Sequence, residues 1–429
     1  MSKYAKYRRE FHKYPENGWR EIRTSARIAE ILTDMGYDVL MGHDVVDYDT
    51  VIDLVKPSAE EVEALKKLAV EQGAKPEFVE RTQGVPGVIA IFDTGIEGPV
   101  TAFRFDIDCL PYDEPQKEGF RPYDEGYISV NPGANHACGH DAHTAVGIGL
   151  AEQLLSKKGQ LKGKMKLIFQ PAEETFCGAL SIVNKGHLDD VNYFISCHVA
   201  IAAEGTPIKS HELACGCKDF LSDRQLDVYF EGVPAHPCGS SQDGKNALLA
   251  ACTAAINLHA IAPHGEGMHR INVGKIEGGV APNTIAPNAL MIVEYRGVTK
   301  NITEYLGKRV MDVIDGAAKM YDLKYRIDDY GEVPAGKSDD AMMEVIQRAA
   351  EKVEWFETIH FEGGVEGTDD AAAMLTRVQE NGGIGTYFGL GCDVTNPVHN
   401  AEFDLDEDCI DAGVEVIINA LEELHALDK

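Results

Sequence analysis

Basic residues are scarce in this chain: 40 lysines and arginines stand against 70 aspartates and glutamates in 429 residues, a formal charge of -30 at pH 7. A surface that acidic repels phosphate backbones and anionic lipid, so neither nucleic acid nor a membrane is an expected partner. No run of about 18 apolar residues occurs, which argues against a membrane-spanning helix. No apolar stretch follows the basic N-terminal residues, so no secretory leader is expected. Cys-x-x-Cys pairs are missing too, as are internal repeats and low-complexity linkers. With no leader, the 10 cysteines read as reduced thiols of a cytoplasmic protein. What is present is ordinary for a globular chain, 44% hydrophobic and 26% charged. The length accommodates roughly two to three domains.

Apolar residues at helical spacing predict a helix over 21–36, ended by Gly36, and the Ser58…Glu61 spacing predicts a capped second helix. Short apolar runs at 88–92, 100–105, 167–169 and 193–197 read as buried strands, with helices at 143–157 and 178–185. This alternation predicts an α/β layer with a mostly parallel sheet. The middle of the chain differs. Strands at 226–230, 271–276, 290–295 and 323–327 and helices at 246–261 and 303–320 give the order βαββαβ, a ferredoxin-like α+β unit. Helices at 339–353, 369–378 and 405–424 and a strand at 385–390 complete the chain. The expected organisation is a catalytic domain of 1–216 and 332–429, interrupted by an inserted lid or dimerisation domain at 217–331.

The densest chemistry lies in His136-Ala-Cys-Gly-His140-Asp141-Ala-His143. Buried imidazoles and thiols need partners, and packing alone explains so many poorly. In extended backbone Cys138 and His140 project to one side, and Gly139 lets the chain approach an ion. Gln170-Pro-Ala-Glu173-Glu174 follows a buried strand, where two carboxylates are costly without a cation. Pro171 breaks the strand, so both can turn inward, one ligating a metal while the other handles a proton. His198 ends the next strand, and His399 precedes the last helix. Gathered at one sheet edge, Cys138, His140, Glu174, His198 and His399 exceed the needs of a single four-coordinate ion and suggest two metals.

These stretches, together with Arg9-Glu-Phe-His-Lys-Tyr-Pro-Glu-Asn-Gly-Trp19 and Asn400-Ala-Glu-Phe403, resemble the amidohydrolase branch of the aminoacylase/carboxypeptidase metallopeptidase family, over essentially the whole chain. The resemblance implies two divalent metals, manganese or zinc, on Cys138, His140, Glu174, His198 and His399, with Glu173 as general base. It implies hydrolysis of the amide bond of an N-acyl or N-aroyl amino acid, with p-aminobenzoyl-glutamate or a similar acyl-glutamate or acyl-aspartate as substrate. Thiolate favours zinc while carboxylate and imidazole accept manganese, so the ligand chemistry leaves the metal open.

Gly232-Val-Pro-Ala-His236 resembles the family's lid histidine, which in dimeric relatives serves the partner's site and stabilises an oxyanion. By the same resemblance Asn283 and Arg296 contact the substrate's carbonyl and carboxylate, while Arg104, Asp106 and Asp108 lie behind the ligands. Phe176, and Pro282 within Ala281-Pro-Asn283, depart from the family pattern at positions touching substrate choice; Asn135 departs just before the histidine cluster. The partner expected is a small N-acyl amino acid, in a homodimer or a heterodimer with a related subunit whose lid strands mate at an open edge. Two alternatives stay open: the chain is a dipeptidase, or it works only when joined to a partner subunit. A Cys138–His140 nucleophilic dyad and a redox role for Cys215-Gly-Cys217 fit the spacing less well.

Overall fold

The computed structural model describes residues 2–52, 55–365 and 367–426. It divides into two compact units, Met1–Lys218 with Lys337–Lys429, and Asp219–Gly336.

The first unit opens with helices α1 (Ala5–Lys13) and α2 (Ile22–Asp34), strand β1 (Asp38–Met41), and helices α3 (Ala59–Glu71) and α4 (Pro76–Arg81). Strands β2 (Val88–Asp93) and β3 (Val100–Asp106), helices α5 (Arg121–Asp124) and α6 (His140–Ser156), strand β4 (Lys164–Gln170), helix α7 (Gly178–Asn184) and strand β5 (Tyr193–Val199) follow. A small hairpin of β6 (Ala202–Ala203) and β7 (Thr206–Pro207) leads to β8 (Glu212–Ala214). The second unit runs β9 (Asp223–Glu231), α8 (Ala247–Leu258), β10 (His269–Gly278), β11 (Asn288–Gly297), α9 (Lys300–Met320) and β12 (Lys324–Val333). The chain then returns to the first unit with α10 (Asp340–Ala350), β13 (Thr358–His360), α11 (Ala371–Glu380), β14 (Ile384–Leu390) and α12 (Asp408–His425).

Eight strands of the first unit form one sheet in the order β1-β2-β4-β3-β5-β14-β8-β13. Its central strands β4, β3, β5 and β14 are parallel to one another, whereas β2 runs against both of its neighbours, β1 and β4. Parallel strands covered on both faces are apolar on both, and Ala102, Phe103 and Phe105 of β3 are all buried. Helix α6 lies against this sheet so closely that a Cβ on Gly147 would stand 2.6 Å from Phe105. The α/β layer with a mostly parallel sheet expected from the alternation of elements is therefore present, with antiparallel pairings toward its edges. The short β1, β8 and β13 carry too few residues to show a period.

Two local details differ from expectation. Ser58 Oγ accepts the Glu61 N–H at 3.2 Å, as a capping box requires, yet Glu61 turns its carboxylate to Arg20 at 2.6 Å instead of closing the box. Helix α6 begins at His140, three residues before the expected start, which changes how the histidine cluster is presented.

The second unit has the expected βαββαβ order and an antiparallel sheet, β10-β11-β9-β12. Leu226, Val228 and Phe230 of β9 and Met291, Val293 and Tyr295 of β11 alternate into a core with Ala250, Ala254 and Leu258 of α8 and Leu306, Val310 and Ile314 of α9. Strand β12 continues to Val333 through a register shift between Asp329 and Glu332, past the end that its apolar residues suggest. Among the described residues no helix is long and apolar enough to cross a membrane.

Candidate metal centre

Because β4, β3, β5 and β14 run the same way, their C-terminal ends share one edge, the place where such sheets hold ligands. Asp106 closes β3 with Asp108 just beyond, Glu173 and Glu174 follow β4, and His198 is the penultimate residue of β5. Cys138 and His140 arrive at the start of α6. They are not on extended backbone as the spacing suggested. Gly139 between them has φ 86°, and a Cβ there would stand 2.5 Å from Val199 Cγ2. A left-handed turn pressed against β5, which only glycine fits, brings the thiol and the imidazole to the sheet edge.

Asp108 orders the centre. His140 Nδ1 donates to the Asp108 carbonyl at 3.0 Å and to Oδ1 at 3.2 Å, which leaves the lone pair on Nε2. Asp108 Oδ2 accepts the Glu174 N–H at 3.0 Å. His140 Nε2 and Glu174 Oε1 then stand 3.9 Å apart, both buried and both without a hydrogen-bond partner among the described residues. His198 donates from Nδ1 to the Val199 carbonyl at 2.5 Å and turns Nε2 to Cys138 Sγ at 3.5 Å. His399, held at φ 64° with its N–H on the Ala137 carbonyl at 2.7 Å, brings Nε2 to 3.6 Å from Glu174 Oε1. Ligand atoms of Cys138, His140 and Glu174 lie within 4.8 Å of one another, with His198 next to this group through Cys138 and His399 through Glu174.

The donor set fits a cation. Two bare, buried ligand atoms facing each other are unstable arrangements unless a positive charge lies between them. Burial, then the Glu174 and Glu173 carboxylates, hold the Cys138 thiol well above its ordinary range, the reverse of an activated nucleophile. Its imidazole neighbour is His198, not His140, so the Cys138–His140 dyad has no geometric basis. Burial also raises Glu174 to about 7 and, aided by Asp369 and Glu174, lifts Glu173 well above the carboxylate range. Burial and the adjacent His143 push His198 down to about 3, keeping a neutral ring of the kind that ligates.

His143, part of the same sequence cluster, is committed elsewhere: Nδ1 faces Asp106 Oδ1 at 2.5 Å and Nε2 accepts the Val199 N–H at 3.0 Å. It therefore fixes the end of β5. Behind Glu173 lies a network that joins Arg104 and Asp106, expected behind the ligands, to Asp369, Asp370 and Tyr387, which the sequence does not mark. Buried Arg104 donates to Asp106 at 2.6 Å, Gln170 at 2.7 Å, Asp369 at 3.0 Å and Asp370 at 3.2 Å, and Tyr387 donates to Asp369 at 2.5 Å. Asp369-Asp370 opens α11 and was read only as a helix start. The signal was the same one noted at Glu173-Glu174, adjacent carboxylates beside an apolar element. Asn135, which departs from the resemblance, donates to the Ala401 carbonyl at 3.0 Å and so steadies the segment after His399.

A model of peptidase family M20/M25/M40 matches residues 102–423, a span that includes every residue of this centre. The chain belongs to that family. It is 39% identical to the indole-3-acetyl-aspartic acid hydrolase of Enterobacter agglomerans over 96% of its own length and 94% of the relative's. With one of the p-aminobenzoyl-glutamate hydrolase subunits of Escherichia coli (strain K12) it shares 38% identity over 97% of this chain and 94% of that one. The crystal structure of the aminobenzoyl-glutamate utilization protein from Klebsiella pneumoniae superposes with a TM-score of 0.80 at 34% identity, covering 98% of this chain and 95% of that one. This M20/M25/M40 member is thus a hydrolase of the amidohydrolase and peptidase class.

The remaining expected site residues lie in the second unit. His236 is exposed, and its Nδ1 accepts the N–H groups of Cys238 at 3.2 Å and Gly239 at 3.1 Å, which places the ring proton on Nε2. Asn283 is exposed in the loop between β10 and β11. Arg296 pairs with Asp223 at 2.9 Å and Glu294 at 3.1 Å, so a substrate carboxylate has to compete with two resident ones. Cys215 and Cys217 are fully buried around Gly216, and burial raises the Cys215 thiol to about 12, which removes the redox alternative.

Proposed function

We propose that this enzyme hydrolyses the amide bond of an N-acyl or N-aroyl amino acid whose amine half is glutamate or aspartate, p-aminobenzoyl-glutamate and indole-acetyl-aspartate being the first candidates. The observation that carries the reading is the facing pair of bare ligand atoms, His140 Nε2 and Glu174 Oε1, with Glu173 Oε2 3.8 Å from the same nitrogen. The names of relatives 38–39% identical supply the substrate class.

Cys138, His140, Glu174, His198 and His399 would hold two divalent ions, manganese or zinc. When bound, these supply Lewis acidity toward the amide carbonyl and an acidified water at neutral pH. Glu173 takes a proton from the attacking water at its carboxylate and returns it to the leaving amine, a task suited to a carboxylate whose pKa burial has raised. Its neighbours Asp369 and Asp370 are both tied to Arg104, which leaves proton transfer to Glu173. His236, with its proton on Nε2, is a hydrogen-bond donor suited to an oxyanion, and Asn283 and Arg296 would orient the substrate.

The second unit is the lid and dimerisation domain in this reading. Helix α8 buries alanines on the sheet yet leaves Leu249 49% and Ile256 72% exposed, and β10 is an edge strand. Both features suit pairing with a second copy or a related subunit, and the Escherichia coli relative is itself named as one subunit of its enzyme. The acidic surface supports a cytoplasmic, freely soluble enzyme.

The test is hydrolysis by purified protein stripped of metal and resupplied with manganese or zinc. The substrates are p-aminobenzoyl-glutamate, indole-acetyl-aspartate, hippurate and a dipeptide, with Glu173→Ala as control. Metal-dependent release of glutamate or aspartate, lost in the control, supports the proposal. Cleavage of the dipeptide alone would transfer it to the dipeptidases. Silence on every substrate with both metals bound would point to an obligate partner subunit.

A further inference from the structure

We infer that Glu21 is a positioning residue for Glu173, holding from beneath the backbone turn that presents the base; the inference rests on Glu173 serving in that role. Ala172, immediately before Glu173, has φ 57°. A residue with a Cβ enters the left-handed region against a steric penalty and stays there only when its surroundings impose it. Here the imposing contact is short and buried: the Ala172 N–H donates to Glu21 Oε1 at 2.7 Å, and Glu21 is 0% exposed.

The rest of the Glu21 environment gives no other purpose for a carboxylate. Its Oε2 is buried without a hydrogen-bond partner among the described residues, and the charged groups that act on it most, Asp108 and Glu16, have the same sign. A buried carboxyl group with no ion pair among the described residues costs stability, which is the pattern of a group retained for its site.

The turn that carries Glu21 is itself tied to both sides of the centre. Trp19, wholly buried, sits at φ 66°, an outlier for so bulky a residue. Gly18 lies so close to the catalytic loop that a Cβ there would stand 2.9 Å from Thr175 Cγ2 and 3.3 Å from Ala172 Cα. On the other side the Glu16 carbonyl accepts the Cys109 N–H at 3.1 Å, next to Asp108. One N-terminal turn, outside the span matched by the family model, thus braces the loop with Glu173 and the segment with Asp108.

The two conservative replacements separate reach from charge. Glu21→Gln keeps an acceptor oxygen at the same distance, whereas Glu21→Asp keeps the carboxylate but falls one methylene short of Ala172. With p-aminobenzoyl-glutamate and manganese, kcat is expected to fall about 10²-fold in Glu21→Asp, the usual cost of misplacing a catalytic group by about 1 Å. Glu21→Gln should lose less than about 5-fold in kcat, KM should change less than about 2-fold in both, and bound metal should match wild type. Adding Ala172→Gly to Glu21→Asp should restore part of the lost kcat, because glycine adopts a positive φ unaided. Equal losses in the Gln and Asp variants, a loss confined to KM, or depleted metal would overturn the inference. Full activity in Glu173→Ala would instead remove the base itself, an outcome distinguishable because it does not depend on residue 21. Thermal melting of each variant separates misfolding from mispositioning, and Glu21→Gln keeps the test open if Glu21→Asp does not fold.

Discussion

The Asp108 carboxylate accepts His140 Nδ1–H at 3.2 Å with one oxygen and the Glu174 backbone N–H at 3.0 Å with the other. Two residues expected to bind metal, one opening α6 and one in the loop after β4, are thereby set by a third. The bond to Nδ1 selects the tautomer whose Nε2 faces the centre, and the bond to the Glu174 N–H fixes the turn that aims its side chain. Replacing Asp108 with alanine is expected to weaken metal binding about 10–100-fold, the usual effect of removing such an outer partner. Competition against a chelator, read as metal retained by wild type and Asp108→Ala, checks this. Equal affinities would show that His140 orders itself.

Gly139 makes a second prediction. At φ 86° it turns the chain between Cys138 and His140, and any Cβ would meet Val199 Cγ2 at 2.5 Å. Gly139→Ala is expected to lose about 2–3 kcal/mol of stability in the metal-free protein, from the strained conformation plus the clash. Denaturant titration measures it. Unchanged stability would mean that α6 and β5 separate freely, which the close packing along α6 speaks against.

The chemistry of this centre was legible before its geometry. Cys138, His140, Glu173, Glu174, His198 and His399 stood out because thiols, imidazoles and paired carboxylates at strand ends are costly without a cation, and that cost depends on residue type more than on conformation. The turn at Gly139 was not legible, because a spacing of two residues fits extended chain and a tight turn equally. Arg104 was marked by the resemblance alone, and its partners Asp369 and Asp370 lie 265 and 266 residues away, so that only the folded sheet brings them together. Glu21 gave no signal, since a carboxylate one residue before a helix reads as an ordinary helix-start residue. Strands of three or four residues, β1, β8 and β13, take their conformation from neighbours already in the sheet.

His12 predicts a pH dependence outside the metal centre. It is wholly buried between Asp141 of α6, bonded to Nδ1 at 2.7 Å, and Glu114, bonded to Nε2 at 2.8 Å, with the Tyr127 and His136 rings alongside. Burial disfavours its charge, but the two carboxylates outweigh burial and raise it to about 9. A histidine raised in the folded state stabilises fully below its unfolded pKa near 6.5, and that contribution is lost as pH rises through about 9. The shift corresponds to about 2–4 kcal/mol. Wild type should therefore lose stability between about pH 7 and pH 9.5, and His12→Gln, less stable at pH 7, should show a flatter profile over the same range. Parallel profiles for the two proteins would remove His12 as the titrating group.

Helix α8 predicts the state of association. Its inner face, Ala247, Ala250, Ala251, Ala254 and Leu258, is consumed by the sheet of its own unit. Leu249 and Ile256 are seven residues apart, two helical turns, so they lie on one outer stripe, and Ile256 leaves 72% of its surface in water. Isolated exposed apolar residues are ordinary, but a stripe on a helix beside a sheet whose outer strand β10 is unpaired offers both an apolar surface and open backbone hydrogen bonds. Against a formal charge of -30, which favours separation of copies, such a stripe is retained where it is covered. Sedimentation should show wild type as a dimer and Leu249→Glu/Ile256→Glu as a monomer with unchanged secondary structure, since neither side chain enters the core. If His236 serves the partner's site, the monomer should also lose most of its kcat while still binding metal on Cys138, His140 and Glu174. A wild type that sediments as a monomer and gains activity only on adding a related subunit would assign the same stripe to a heterodimer. A fully active wild-type monomer would leave α8 without a partner and His236 without a role in the reaction.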